Sequence, residues 1–68
     1  MKKIVVTYWS ESLFVPYFEN NSVFEYSIEK QNEIIQKIIN CGFSVMIRPY
    51  MGSDEETLLI YIGTGTFN

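Results

Sequence analysis

The chain has 68 residues, enough for a single domain, 1–68, and too few for two. Its formal net charge is −3, and its five basic residues lie in separate regions, so a phosphate-tracking patch is excluded and no nucleic-acid partner is expected. The sequence has no histidine and one cysteine, which excludes an intrachain disulfide and disfavours a tetrahedral metal site. We therefore expect no metal and no other cofactor.

The composition favours self-association. Hydrophobic residues make up 47% of the chain and aromatic residues 16%, whereas a domain of this size buries only about 60% of the surface that its unfolded chain exposes. Domains below roughly 70–80 residues usually need a disulfide, a metal or oligomerisation. Since only oligomerisation is open to this chain, the sequence predicts a homo-oligomer, most simply a dimer.

No segment has the pattern of a targeting signal or a membrane span. The apolar run that follows residues 1–3 covers only residues 4–6, far short of the roughly 7–15 residues of a signal-peptide core. It is also far below the ~20 apolar residues of a transmembrane helix. We expect a cytoplasmic protein with no membrane partner.

The N-terminal part of the chain predicts one clear strand and one ambiguous segment. Residues 3–9 are rich in β-branched and aromatic side chains and predict a strand that is apolar on both faces. Residues 10–22 are compatible with a strand or a loop, since Pro16 lacks a backbone donor and suits only an edge or a bulge. Residues 19–22 predict a turn, and residues 23–26 a short strand or an extended lead into a helix.

The helix is the clearest predicted element. Ser27 is a suitable N-cap, and Gly42 can supply the left-handed residue that ends the helix. Glu33 and Lys37 are four residues apart on its polar side and predict an ion pair of about 0.3 kcal/mol. Its apolar stripe consists of isoleucines at helical spacing: Ile28, Ile34, Ile35, Ile38 and Ile39.

The C-terminal part predicts an antiparallel hairpin. Residues 43–50 alternate between apolar and polar side chains, residues 57–62 are apolar on both faces, and residues 51–56 form a polar loop. The order β-β-α-β-β predicts an α+β fold, a small antiparallel sheet of three to four strands with one helix packed on one face. Because one helix covers one face, the other apolar face needs a different cover, which a second copy of the chain would supply.

Catalysis is not expected. Histidine, the most frequent general base, is absent. Cys41 follows the predicted helix, where the negative end of the helix dipole disfavours a reactive thiolate, so it is interpreted as a small buried hydrophobe. The acids at 54–56 are adjacent and lack the alternating spacing of a calcium loop. The glycine–threonine residues 63–66 are not followed by the helix that a phosphate loop requires.

Arg48 is the strongest candidate for contact with a ligand. It is the only arginine of the chain, and a guanidinium group beside aromatic rings can stack on a base while it binds a phosphate or carboxylate. The alternative is a surface arginine that lies over an aromatic neighbour. The predicted ligand- or partner-binding residues are Arg48, Trp9, Tyr8, Tyr17 and Tyr50.

The aromatic segment 9–18 has two interpretations that stay open. It predicts an interaction surface, because Trp, Tyr and Phe dominate the energetics of protein interfaces. It is equally compatible with a loop that covers the second face of the sheet. The predicted self-interface consists of Phe14, Phe18, Leu58, Ile60 and Ile62.

These features predict a small non-catalytic protein that binds another protein and self-associates. Chains of this size without a catalytic constellation are common among phage and mobile-element products, where they often inhibit a host protein. Two alternatives stay open. The chain could hold a nucleotide-like small molecule between subunits, or it could be a structural subunit whose function is assembly.

Overall fold

The computed structural model describes residues 1–10, 12–51 and 56–64. Within these residues the strands are β1 (Lys3–Tyr8), β2 (Ser22–Glu25), β3 (Ser44–Met51) and β4 (Glu56–Gly63), and the helix α1 (Ile28–Asn40) lies between β2 and β3. The predicted α+β fold and its element order are confirmed. The predicted polar loop falls mostly on residues 52–55, outside the described ranges. No helix of the described part is long and apolar enough to cross a membrane.

The four strands form one mixed sheet in the order β2-β1-β4-β3. β2 pairs antiparallel with β1, and β3 pairs antiparallel with β4, as the predicted hairpin requires. The two central strands, β1 and β4, run parallel, which the expectation of a wholly antiparallel sheet did not include. The parallel pair arises because α1 connects the two hairpins across the sheet, from the β2 edge to the β3 edge.

The core lies between α1 and one face of the sheet. Ile34 and Ile38 are buried, whereas Ile28 and Ile39 are 53% and 52% exposed. The apolar stripe is therefore narrower than predicted, since the two exposed residues lie outside the arc of the helix that meets the sheet. The buried apolar residues are Ile4, Val6, Val15, Phe18, Ile34, Ile38, Leu58, Ile60 and Ile62.

Local hydrogen bonds set both ends of α1. Ser27 has extended backbone angles, and its Oγ accepts a bond from the Lys30 amide at 3.0 Å, as expected of an N-cap. At the other end Gly42 adopts φ +88°. The Phe43 amide donates to the Ile38 carbonyl at 3.3 Å, and the Gly42 amide donates to the Ile39 carbonyl at 2.9 Å. This is a Schellman motif, which also brings Phe43 against the core.

The segment between β1 and β2 is a loop that packs on the same side of the sheet as α1. Val15 and Phe18 are buried in the common core, and the Phe18 and Phe24 rings meet edge to face with centroids 6.1 Å apart. The Tyr8 hydroxyl donates to the Phe18 carbonyl. Among the described residues, the buried part of this loop therefore lies with α1 on one face of the sheet, while Asn20 contacts the second face through the Thr7 hydroxyl, 3.1 Å away.

Candidate binding surface on the open face of the sheet

The sheet presents one face away from α1, here called the open face. Side chains alternate along a strand, so the residues between the buried ones share this face. Their strand register places them in rows that run across the sheet from β2 through β1 and β4 to β3. The first row is Glu25, Lys3, Thr57 and Tyr50; the second is Val23, Val5, Leu59 and Arg48; the third is Thr7, Tyr61 and Met46.

The middle of the open face is apolar and only partly covered by its own neighbours. Val5, Leu59, Tyr61 and Met46 are half-buried, although they occupy the centre of the sheet or the strand next to it. On β2, Val23 is 61% exposed. On the other face of β1 and β4, the aliphatic side chains are buried to 6% exposure or less: Ile4, Val6, Leu58, Ile60 and Ile62. On the open face Thr57, in the first row, is also buried at 5% exposure, whereas the apolar residues of the second and third rows are only partly covered.

Trp9 extends this surface beyond the end of β1. Its amide donates to the Ile62 carbonyl at 2.6 Å, which continues the β1–β4 ladder by one residue. Its ring meets the Tyr61 ring edge to face, with centroids 6.2 Å apart and an interplanar angle of 78°. Such pairs fix the orientation of both rings. Trp9 is 64% exposed, so much of the indole faces solvent.

The charged residues of the open face lie around its apolar centre. Glu25 is on the edge strand β2, directly opposite Lys3 of β1. Arg48 is on the other edge strand, β3, opposite Leu59 of β4. An acidic group and a basic group thus occupy opposite edges of the same face. The row of Glu25 continues with Lys3 and Thr57, and the row of Arg48 continues with the apolar Leu59 and Val5.

Three of the five residues predicted to bind a ligand or partner share the open face. Arg48 and Tyr50 follow one another on that face of β3, and Trp9 lies beyond the end of β1. Tyr8 does not belong to this group, because it lies on the helix side and packs against the core. Tyr17 lies in the β1–β2 loop, where the Lys37 ammonium is 5.7 Å from its ring centroid.

Most of the predicted self-interface is inside the chain. Phe18, Leu58, Ile60 and Ile62 are 8%, 6%, 0% and 0% exposed. They are the residues that α1 and the β1–β2 loop cover, so this fold does not offer them to a second chain. Only Phe14, at 81% exposure, is accessible. The assignment of these four residues to the self-interface is therefore corrected. Alternation along β4 separates its two faces but does not show which of them the helix covers.

The central residues of the open face were not among the predicted site residues. These are Val5, Leu59, Tyr61 and Met46. The available signal was that β1 and β4 are apolar on both faces, which required a second cover for one set of side chains. Along β3 the side chain of Arg48 points to the face opposite that of Val45 and Ile47. This alternation in the sequence indicated that Arg48 lies away from the helix.

No described group suggests metal or thiol chemistry at this surface. Among the described residues, no cluster of three or more His, Cys, Asp or Glu side chains could hold a metal ion. Cys41 is the C-cap residue of α1 and is half-buried rather than fully buried as expected. Asp54, Glu55, Gly65 and Thr66, considered above for cation or phosphate binding, lie outside the described residues.

Among the described residues two carboxyl groups have a lowered pKa, and both lie off the open face. The pKa of Glu33, on α1, is lowered by a hydrogen bond and the charge of Lys30 and by the charge of Lys37. The pKa of Glu56 is lowered by a hydrogen bond from the N-terminal amine, 2.8 Å away, and by its charge. Both are exposed ion pairs of the kind that contributes little to stability.

Comparison with protein-family models, curated proteins and solved structures found no match for this chain.

Proposed function

We propose that this chain is a protein-interaction module that binds another protein chain through the open face of its sheet. The observation that carries the proposal is the half-covered apolar centre of that face, formed by Val5, Leu59, Tyr61 and Met46. Full burial of such a side chain provides about 1.5–3 kcal/mol, so a partner that covers the part still exposed adds a fraction of this for each residue. A small domain has only about 5–15 kcal/mol of stability in total.

The kind of surface favours a protein partner. Aromatic residues and arginine are enriched at the centres of protein interfaces, where they contribute most of the binding energy. The open face carries Trp9, Tyr61 and Tyr50 together with Arg48. Its apolar centre with charged edges follows the arrangement of an interface core and its rim. Inhibition of a host protein is one function that such a module could serve, and it rests on the size and composition of the chain.

The second candidate function is the binding of a nucleotide-like small molecule. One observation favours it: Arg48 and Tyr50 lie on the same face of β3, and the Trp9–Tyr61 pair lies on that face as well. A base could stack on a ring while the guanidinium binds a phosphate. The same face would then hold the ligand between two chains.

Native mass spectrometry of the protein isolated from its own source tests the proposal. The wild-type chain is expected to carry the mass of at least one further protein chain. Leu59→Glu and Val23→Glu each place a carboxylate on the open face and should release that chain. The matched control is Ile28→Glu, an exposed residue in the first turn of α1, where a carboxylate is favourable. It should retain the complex.

The two open-face variants are complementary. Val23 is 61% exposed on an edge strand, so its replacement should leave the fold intact, which circular dichroism can verify. A wild-type chain that carries no other protein, or complexes that survive both substitutions, would contradict the proposal. A retained small-molecule mass that Arg48→Ala removes would favour the second candidate instead.

A further inference from the structure

We infer that the protein bound at the open face is a second copy of this chain, packed face to face about a two-fold axis that runs parallel to the strands. This inference rests on the proposed function and names its partner. It follows from the positions of the charged residues on the open face and from the strand order of the sheet. The axis passes between the two central strands, β1 and β4.

The two edges of the open face carry charges of opposite sign. Glu25 lies on β2 and Arg48 lies on β3, with β1 and β4 between them. In the strand register the two residues are one row apart, because Glu25 shares a row with Tyr50 and Arg48 shares a row with Val23. A row corresponds to two residues, or about 6.7 Å along a strand.

A two-fold axis parallel to the strands exchanges these edges. It lays β2 of one copy over β3 of the other and leaves the rows aligned. Glu25 then faces the neighbourhood of Arg48 of the second copy, across two sheets about 10 Å apart. Both side chains are long, and both are exposed on edge strands. The symmetry forms this charge pair twice, once at each edge, which is the self-complementarity of an isologous interface.

The same operation closes the apolar centre. β1 of one copy lies over β4 of the other, so Val5 faces Leu59 in the second row. In the third row Tyr61 faces Thr7 of the second copy, with the Trp9 ring beside it. The side chains that lack a cover in one chain thereby cover each other.

A two-fold axis perpendicular to the strands is disfavoured by charge. It would lay each strand over its own copy, so that Arg48 would lie beside Arg48 of the second copy. Two like charges that face each other across an interface repel, and this repulsion destabilises the arrangement. The axis parallel to the strands therefore has an advantage at both edges of the sheet.

Pairing through the sheet edges is disfavoured as well. The edge strand β3 contains Pro49, which has no amide hydrogen to donate, and a proline on an edge strand blocks continuous pairing. The other edge strand, β2, has only four residues and ends with the charged Glu25. Neither edge offers a long, uninterrupted ladder to another strand.

The size of the face predicts a weak dimer. Four strands about 4.8 Å apart and about six residues long give a projected area of roughly 400 Å² per copy. A standard stable interface buries about 800 Å² per partner. The accessible area of a side-chain surface exceeds its projection, so the area that the open face can bury is larger than this projected area and approaches that of a small stable interface. We expect dissociation in the micromolar region.

A charge exchange between the two edges tests the arrangement. Sedimentation equilibrium is carried out on the wild type, Glu25→Arg, Arg48→Glu and the double variant. Each single substitution brings like charges together twice and should weaken the dimer about tenfold or more, whereas the double variant restores opposite charges and should recover most of the loss. The control is Glu19→Arg, which makes the same charge change as Glu25→Arg at an exposed residue that does not lie on the open face. It should leave the dimer unchanged.

The outcomes separate this inference from the proposed function. A dimer that both single variants leave intact, or that the double variant does not recover, overturns the arrangement. If the chain does not self-associate but binds a different protein through the open face, the inference that the partner is a second copy is wrong and the proposed function still holds. A chain that binds neither itself nor any other protein overturns both.

Discussion

At the scale of single residues, Tyr17 in the β1–β2 loop has an unfavourable backbone conformation. Tyr17 has φ +77°, a region that costs a non-glycine residue about 1–2 kcal/mol. It follows Pro16, and a proline followed by a residue with positive φ is the pattern of a type II turn. The turn buries Val15 and Phe18 on either side, while Tyr17 itself is 76% exposed. The burial of its neighbours therefore stabilises the strained residue.

We expect Tyr17→Gly to be more stable than Tyr17→Ala by about 1 kcal/mol. Both substitutions remove the ring and its contact with the Lys37 ammonium, so their difference isolates the backbone conformation. Alanine retains the steric penalty of a Cβ at positive φ, whereas glycine does not. Urea unfolding of the two variants side by side measures the difference. An alanine variant as stable as the glycine variant would argue against a left-handed residue 17.

Asn21 shows the same conformation without the same conflict. Its φ is +65°, and the Ser22 amide donates to the Glu19 carbonyl at 3.2 Å, which closes the turn. The Asn20 Oδ1 accepts bonds from the Tyr8 amide at 2.8 Å and the Thr7 hydroxyl at 3.1 Å. The residues 19–22 were predicted to form a turn, and this is confirmed. Asn21 tolerates the left-handed angle, and the Asn20 side chain binds the polar groups of Tyr8 and Thr7.

At the scale of elements, α1 is held by its caps, its buried stripe and a small ion-pair network. The predicted pair between Glu33 and Lys37 is present at 3.5 Å, and Lys30 adds a second contact to Glu33 at 3.1 Å. Both lysines stabilise the charged form of the carboxyl group and lower its pKa below the ordinary 4.5. The pairs are exposed, so salt should weaken them.

The lowered pKa of Glu33 predicts a small acid-dependent loss of helix stability. A carboxyl group whose pKa is lower in the folded state contributes its stabilisation fully above its unfolded pKa, here 4.5, and loses it as the pH falls through the folded value. Glu33→Gln should therefore be less stable than the wild type at pH 7 and approach it as the pH falls below 4.5 and through the folded-state pKa. Thermal melts of both proteins across this range measure the difference. A gap that stays constant with pH would contradict the ion-pair explanation.

At the scale of the whole molecule, the two faces of the sheet differ in what covers them. Ile60 and Leu59 are neighbours on β4, but Ile60 is fully buried under α1, whereas Leu59 is half-buried on the open face. The pair therefore offers a matched comparison within one strand. Ile60 therefore tests the packing inside a single chain, and Leu59 tests the proposed packing between chains.

We expect Ile60→Ala to cost about 2–5 kcal/mol at every protein concentration, because it leaves a cavity in the core. Leu59→Ala should cost about 1 kcal/mol or less in dilute solution. Its cost should grow at high concentration, because stability that depends on association rises with concentration. Thermal melts over a hundredfold concentration range measure both. Equal costs in dilute solution would mean that one chain covers both faces by itself.

The sequence by itself determined the elements and their ends. Side chains alternate along a strand, so the two faces of β1 and β4 could be read directly from residues such as Leu58 and Leu59. Ser27 and Gly42 marked the helix termini because capping depends on bonds within a few residues. These features depend on residues that are close in the chain, so they can be predicted from a single sequence.

Only the tertiary structure decided which face stays open. That choice depends on the parallel pairing of β1 with β4, which are far apart in the chain, and on the side of the sheet to which the β1–β2 loop turns. Both are set by the burial of apolar surface among residues that are distant in the chain. The two faces of β1 and β4 carry similar apolar side chains, so the sequence of these strands does not show which face is buried. For this reason the sequence places Leu58, Ile60 and Ile62 in the self-interface, whereas the fold buries them and leaves Leu59 and Tyr61 half-buried on the open face.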